Sequence, residues 1–124
     1  MMQHGKDLKQ RTRQFALRII RLYRSLPRTE ESHILGKQLL RSGTSVGANY
    51  RAACRARSKA EFIAKLGIVL EESDETIFWL ELLKEAGVGN SESLQPLIKE
   101  ADELTSIFVA SLRTAKGIAS VAEV

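Results

Sequence analysis

Residues 37–83 read KQLLRSGTSVGANYRAACRARSKAEFIAKLGIVLEESDETIFWLELL, and within this stretch two long helical patterns meet at a reversal of charge. No acidic residue occurs from position 32 to position 60, whereas acidic residues dominate from Glu61 onward. Ser58 and Glu61, in the sequence SKAE, have the spacing of a capping box, which marks a helix start. The stretch therefore predicts a cationic helix and then an anionic one, with a break near Arg57.

The charge reversal extends over the whole chain. Residues 1–60 contain 14 basic and 3 acidic side chains, and residues 61–124 contain 5 basic and 12 acidic ones, so the halves carry +11 and −7. A polyanion-binding surface would explain this asymmetry, and so would pairing of basic and acidic helices within the fold or between subunits. Composition leaves both interpretations open.

Apolar residues at helical spacing predict four helices, with approximate bounds 6–26, 32–57, 59–86 and 92–116. Pro27 ends the first helix, Thr29 or Ser32 caps the second, and Gly87 ends the third. Short connections and almost no strand signal predict an all-α fold, an antiparallel up-down-up-down four-helix bundle. A chain of 124 residues suits one domain, residues 1–124.

The same spacing predicts which faces are buried. Five apolar residues form the predicted core stripe of the first helix: Leu8, Phe15, Ile19, Leu22 and Leu26. Leu17 and Ile20 lie outside this stripe and are candidates for contact with another subunit. The inward face of the second helix is predicted from Ile34, Leu35 and Val46. The apolar surface of the third helix is wider than one partner helix requires, which indicates a central helix or contact with a neighbouring protomer.

Polar and small residues on the second helix favour structural roles. The small residues of SGTSVGA, residues 42–48, predict close approach of a neighbouring helix, since they do not match the phosphate-binding pattern GxxxxGK[ST]. Ser45, Asn49 and Glu72 are predicted to form a buried hydrogen-bonded cluster between helices two and three. Such clusters fix helix register, and Asn49→Leu is then expected to cost about 1 to 3 kcal/mol.

Catalytic and metal-binding patterns are not found. Carboxylate metal sites in bundles need Glu-x-x-His pairs, but the two histidines, His4 and His33, lie outside any such pair. No nucleophile elbow is present. We therefore expect no enzyme activity, no metal and no cofactor. A single cysteine, Cys54, together with the lack of a signal-peptide core or membrane-length apolar run, favours a cytoplasmic protein with no membrane association.

The basic residues form two clusters on helical wheels. One narrow sector of helix two holds Lys37, Arg41, Arg51 and Arg55, and the outer side of helix one holds Arg18, Arg21 and Arg24. Clustered arginines and lysines bind phosphate backbones with little sequence preference, and few aromatic residues accompany them for base stacking. These seven residues are the candidate nucleic-acid-binding site.

Several motifs in this region resemble those of one family. They are Arg41, the S-V-x-x-N of Ser45 to Asn49, the S-x-x-x-F of Ser58 and Phe62, and the E-x-x-E-x-x-x-W-L that ends at Trp79 and Leu80. On these residues the chain resembles the small proteins encoded in intervening sequences of bacterial 23S ribosomal RNA genes. Ala52 and Ala53 stand where many relatives have Glu-Gly, which places the chain in a different branch.

This resemblance implies an all-helical bundle that assembles as a homopentamer. A distant relative, the accessory variability protein of diversity-generating retroelements, binds nucleic acid and a reverse transcriptase. The sequence hypothesis is therefore a non-enzymatic homo-oligomer that binds RNA or DNA through its arginine-rich face. The alternative is a structural or adaptor oligomer whose basic face meets an acidic protein partner, with no role in nucleic-acid binding.

Overall fold

The computed structural model describes residues 2–117, with side chains for residues 8–117, and these residues form four α-helices. The helices are α1 (Met2–Ser25), α2 (Glu30–Cys54), α3 (Lys59–Glu85) and α4 (Ser91–Lys116). Residues 1 and 118–124, which the predicted single domain includes, lie outside the described part. The all-α fold class is confirmed.

Each helix packs beside two others, in the cyclic order α1, α2, α3, α4. Gly43 of α2 packs against Ile19 of α1, and Gly47, one turn further along α2, packs against Thr12, which lies earlier in α1. Helices α1 and α2 are therefore antiparallel. A hydrogen bond between the hydroxyls of Ser73 and Thr105, and one from Lys84 to Gln95, show the same relation between α3 and α4. The predicted four-helix bundle follows from these pairs and the short connections.

Side-chain caps start the last three helices. Thr29 Oγ1 accepts a hydrogen bond from the Ser32 amide, Ser58 Oγ from the Glu61 amide, and Asn90 Oδ1 from the Glu92 amide. The predicted capping box forms with one difference. The Glu61 carboxylate accepts a hydrogen bond from the Arg57 amide at 2.8 Å, whereas the standard motif uses the amide of the N-cap residue, here Ser58.

Helix α2 ends at Cys54, three residues before the predicted end at position 57. The amides of Arg55 and Ala56 bond to carbonyls three residues back, at Ala52 and Ala53, and not four back as in an α-helix. The Arg57 amide then turns to the Glu61 carboxylate. The break before α3 is therefore a short turn held from both sides.

The predicted core stripe of α1 is buried as expected, from Leu8 to Leu26. The predicted inward face of α2 is wrong in part, since Ile34 is 57% exposed while Leu39 is fully buried. Helix α2 turns inward a face on which glycines and serines alternate with Leu39 and Val46. Because glycine and serine are not hydrophobic, an apolar pattern does not identify this face. The predicted inward face was therefore placed on the side of α2 that contains Ile34.

Glycines let α1 and α2 approach closely, as the small-residue stretch predicted. A Cβ atom at Gly43 would lie 2.9 Å from two side-chain carbons of Ile19, and one at Gly47 would lie 3.2 Å from the Thr12 carbonyl oxygen. Neither position has room for a side chain unless α1 moves. The two helices therefore meet almost backbone to backbone, which leaves only a shallow groove on their outer side.

Candidate nucleic-acid interface

Four basic residues line the shallow groove between α1 and α2. Lys9 and Arg13 come from α1, Arg51 comes from the last turn of α2, and Arg55 directly follows the end of α2 at Cys54. The two members of each pair are four residues apart in sequence, which is about one helical turn. The antiparallel register brings the two pairs opposite each other. Four cationic side chains thus converge on one surface.

The rest of the groove lining is uncharged and mostly small. Gln10 and Ala16 lie on α1, and Thr44, Gly47 and Ala48 lie on α2. No carboxylate is among the residues that line the groove, and none of its four cations forms an ion pair within residues 8–117. Such a surface has unneutralised positive charge and room for a polyanion strand to lie against it.

The positive surface continues from the groove toward the start of α3. A second hollow shares Arg51 and Arg55 with the groove and adds Arg57 and Lys65. Glu61 is the one carboxylate in its lining, and that carboxylate already accepts the Arg57 amide hydrogen. We call the combined surface the basic band, made of six residues: Lys9, Arg13, Arg51, Arg55, Arg57 and Lys65.

Arg41, predicted to belong to the same sector as Arg51 and Arg55, has a different role. Its guanidinium contacts Glu72, with Nη1 to Oε1 at 3.1 Å, and Glu75, both on α3. A hydrogen bond from Trp79 Nε1 at 3.0 Å, together with Arg41, lowers the pKa of the Glu75 carboxyl. Arg41 therefore joins α2 to α3, and its charge is neutralised within the fold.

The other predicted binding residues lie away from the basic band. Arg21 and Lys37 are exposed and line neither of the band's hollows, while Arg18 is half-buried. Arg24 lines a separate hollow at the turn between α1 and α2. The structure thus places only Arg51 and Arg55 of the seven predicted residues in the band.

Sequence reasoning did not assign Lys9 and Arg13 to the site. The spacing of four residues within each basic pair was visible in the sequence. In an antiparallel hairpin the start of α1 lies beside the end of α2, so the two pairs could have been placed together. Reading each helix separately missed it, because the groove exists only when the two helices are placed side by side.

The predicted polar cluster does not form from Ser45, Asn49 and Glu72. Asn49 Nδ2 donates to the Ser45 carbonyl of its own helix at 2.9 Å, and the Glu72 carboxylate bonds to Arg41. The buried polar contact between α2 and α3 is made instead by the hydroxyl oxygens of Ser42 and Thr76, which are 3.1 Å apart. The cause is the error made at Ile34, since the rotation of α2 that buries Ser42 leaves Ser45 and Asn49 only half-buried.

Thr76→Val is expected to lower the free energy of unfolding by about 1 kcal/mol, because it removes a fully buried hydroxyl that bonds to Glu72 O and contacts Ser42. Asn49→Leu is the matched control, and we expect it to cost less than about 0.5 kcal/mol, since Asn49 is half-buried and bonds only to its own helix. Urea unfolding of both variants measures the difference. A larger loss for Asn49→Leu would restore the cluster predicted from sequence.

Within residues 8–117, no three His, Cys, Asp or Glu side chains are grouped closely enough to hold a metal ion. In the described part of the chain, no helix combines the length and the apolar character that crossing a membrane requires.

The fold and the basic band define a small four-helix-bundle protein with a cationic groove on one helix pair. The chain belongs to the 23S rRNA-intervening sequence protein family, whose family model matches residues 6–110. The predicted resemblance is thereby confirmed. A protein of unknown function from the S23 ribosomal protein family of Bacteroides thetaiotaomicron has a similar crystal structure, with 38% sequence identity and a TM-score of 0.80. The match covers 86% of this chain and 98% of that one. No curated protein matches the chain.

Proposed function

We propose that this protein is a non-enzymatic homo-oligomer that binds the phosphate backbone of RNA or DNA through its basic band. The observation that carries the proposal is the groove between α1 and α2, where Lys9, Arg13, Arg51 and Arg55 converge with no carboxylate in the lining. Unpaired like charges repel one another, and a phosphate backbone relieves that repulsion and releases counterions on binding.

Other arginines support the proposal by contrast. Arg11 of α1 bonds to Glu100 at 2.8 and 2.9 Å and to Glu103 at 2.7 Å, and the Glu100 hydrogen bond raises the pKa of Arg11. Arg41 is held by two glutamates of α3. The acidic half of the chain thus neutralises arginines on the α1–α4 and α2–α3 contacts, while the groove between α1 and α2 keeps its charge.

The composition of the groove favours binding to the backbone over reading of bases. No aromatic residue lines it, so stacking on unpaired bases has no platform there. Contacts from lysine and arginine to phosphates position a strand and carry no sequence information. We therefore expect little preference among sequences.

Assembly is the second part of the proposal. Large apolar side chains stand exposed on three helices: Leu17, Ile34, Ile68 and Phe78. Exposed apolar side chains of this size fit contact with another copy of the chain, and the resemblance implies five copies. A ring would repeat the basic band several-fold and convert weak binding by one protomer into useful avidity. The exposed free thiol of Cys54 fits a cytoplasmic location, which we also propose.

Arg51→Glu combined with Arg55→Glu is expected to weaken binding of labelled RNA and duplex DNA by at least about tenfold. On duplex DNA each phosphate contact contributes about −0.9 to the slope of log affinity against log salt, so losing two contacts flattens the slope by about 1.8. Fluorescence anisotropy from low to physiological salt measures both quantities.

Arg21→Glu combined with Lys37→Glu is the matched control, because it makes the same change in net charge on exposed residues outside the band. We expect it to weaken binding less than about threefold. An equal loss in both double variants would show that net charge alone matters, and absence of binding by the wild type at low salt would refute the proposal. Multi-angle light scattering of all three proteins tests the assembly, and a monomer mass would refute that part.

An adaptor that binds an acidic protein is the second candidate. The exposed aromatic ring of Phe78, which meets Trp79 edge-on at 5.0 Å, is the kind of group that anchors protein interfaces. This candidate predicts one saturable protein partner that stays bound after nuclease treatment and no increase of affinity for nucleic acid at low salt.

A further inference from the structure

A hollow separate from the basic band lies at the turn between α1 and α2. Eight residues line it, and none is acidic: Tyr23, Arg24, Leu26, Pro27, Arg28, Thr29, Ser32 and His33. Arg24 and Arg28 are exposed, so their guanidinium groups are free to turn toward a ligand in the hollow. Along α1, Arg24 lies eleven positions after Arg13 of the band, a distance of about 16 Å at 1.5 Å per residue.

Ser32 is the unusual member of this lining. It is 1% exposed, and its Oγ has no hydrogen-bond partner among the described residues. Buried hydroxyl groups are nearly always hydrogen-bonded in folded proteins, to protein or to a bound group. A buried serine that lines a hollow and lacks a partner indicates a place where a ligand can supply the missing bond.

The first turn of α2 forms one side of the same hollow. Thr29 caps this 25-residue helix, and Ser32 and His33 follow in its first turn. The amides of Glu30 and Glu31 have no earlier carbonyl of the helix to bond to, and the helix dipole is positive at this end. The carboxylates of Glu30 and Glu31 are exposed and do not belong to the lining.

We propose that this hollow binds a phosphate group, held by Arg24 and Arg28, by the hydroxyl of Ser32 and by the positive end of α2. Arginine matches phosphate because its planar group donates two parallel hydrogen bonds to two oxygens. Helix N-termini supply amide donors to the same kind of anion. Free inorganic phosphate and the 5′-terminal phosphate of a nucleic-acid strand share this chemistry. The site is independent of the backbone binding proposed for the basic band.

Amide NMR spectra of the full chain, titrated with inorganic phosphate at constant ionic strength, test the proposal. We expect saturable shifts centred on residues 29–33, with a dissociation constant in the millimolar range. Arg28→Gln is expected to weaken binding at least fivefold and Ser32→Ala at least twofold. Arg21→Gln, an exposed change outside the hollow, is the control and is expected to leave the affinity unchanged.

Shifts that grow linearly without saturation, or equal affinities for Arg28→Gln and Arg21→Gln, would overturn the site. An unchanged affinity in Ser32→Ala would overturn it as well, because the hydroxyl would then have no part in binding. The spectrum of each variant also reports whether the bundle is folded.

A second titration distinguishes the two sources of phosphate. A dinucleotide with a 5′-phosphate and its 5′-hydroxyl counterpart are compared with inorganic phosphate, since strands this short make few contacts with the basic band. Tighter binding of the 5′-phosphorylated dinucleotide than of inorganic phosphate assigns the site to strand ends. Equal binding of those two assigns it to the free ion. Equal shifts of residues 29–33 with both dinucleotides would overturn the proposal that the site binds a free or terminal phosphate, because the 5′-phosphate would then add nothing.

Discussion

Phe108→Ala is expected to lower the free energy of unfolding by about 3 to 5 kcal/mol. Phe108 of α4 is fully buried, and its ring centroid lies 5.9 Å from that of Tyr50 on α2, the helix diagonally across the bundle. Burial of the phenol group, and to a smaller extent the nearby Cys54, raises the pKa of Tyr50. Among the described aromatic contacts, this is the one ring pair that joins diagonally opposite helices. Removing one leaves a cavity that four fixed helices cannot close.

Phe78→Ala is the matched control, because it deletes the same side chain from a position that is 54% exposed. We expect a loss below about 1 kcal/mol, mainly from the edge-on contact with Trp79. Urea unfolding at a fixed protein concentration measures both variants, and equal losses would contradict the assigned core. A lower oligomer mass for Phe78→Ala would in addition place this ring in a contact between copies.

Gly43→Val is expected to cost about 3 kcal/mol or to prevent folding. Two side-chain carbons of Ile19 lie 2.9 Å from where the first added carbon would stand, and Ile19 is itself fully buried. A branched side chain therefore has to displace α1 along the contact that also forms the floor of the basic groove. We expect affinity for nucleic acid to fall together with stability in this variant.

Gly67→Val serves as the control for the change of residue type. Gly67 lies within α3, and no atom stands within 4 Å of a Cβ built there. Valine and glycine differ by only a few tenths of a kcal/mol in helix propensity, so the free energy of unfolding is expected to stay within about 0.5 kcal/mol of the wild type. Thermal unfolding followed by circular dichroism compares the two variants. A similar loss at both positions would mean that glycine itself, and not the helix contact, sets the cost.

Residues whose effect is local behaved as the sequence predicted. Pro27, the cap at Thr29 and the serine at position 58 act within one turn of the chain, so helix number and order could be read directly. The core stripe of α1 was also correct, because large apolar residues there alternate strongly with charged ones. These signals, with the motifs from Arg41 to Leu80, were enough to predict the fold and the family before any coordinates.

The rotation of α2 about its axis was decided only by tertiary packing. Its buried face holds Gly36, Ser42 and Gly43, whose burial comes from the close approach of α1 and not from their own hydrophobicity. A pattern based on apolar side chains therefore selected Ile34, which is exposed, and assigned the polar cluster to Ser45 and Asn49, which are only half-buried.

Whether each arginine forms an ion pair was likewise decided between helices. Sequence alone determined that one half of the chain is basic and the other acidic, and that the basic residues cluster on α1 and α2. Which arginines are neutralised depends on the glutamate that stands opposite: α3 provides two for Arg41, whereas the helix beside Arg51 and Arg55 brings Lys9 and Arg13. An ion pair needs its charged atoms within about 4 Å of each other, so these partners become defined only when register and rotation place the helices together.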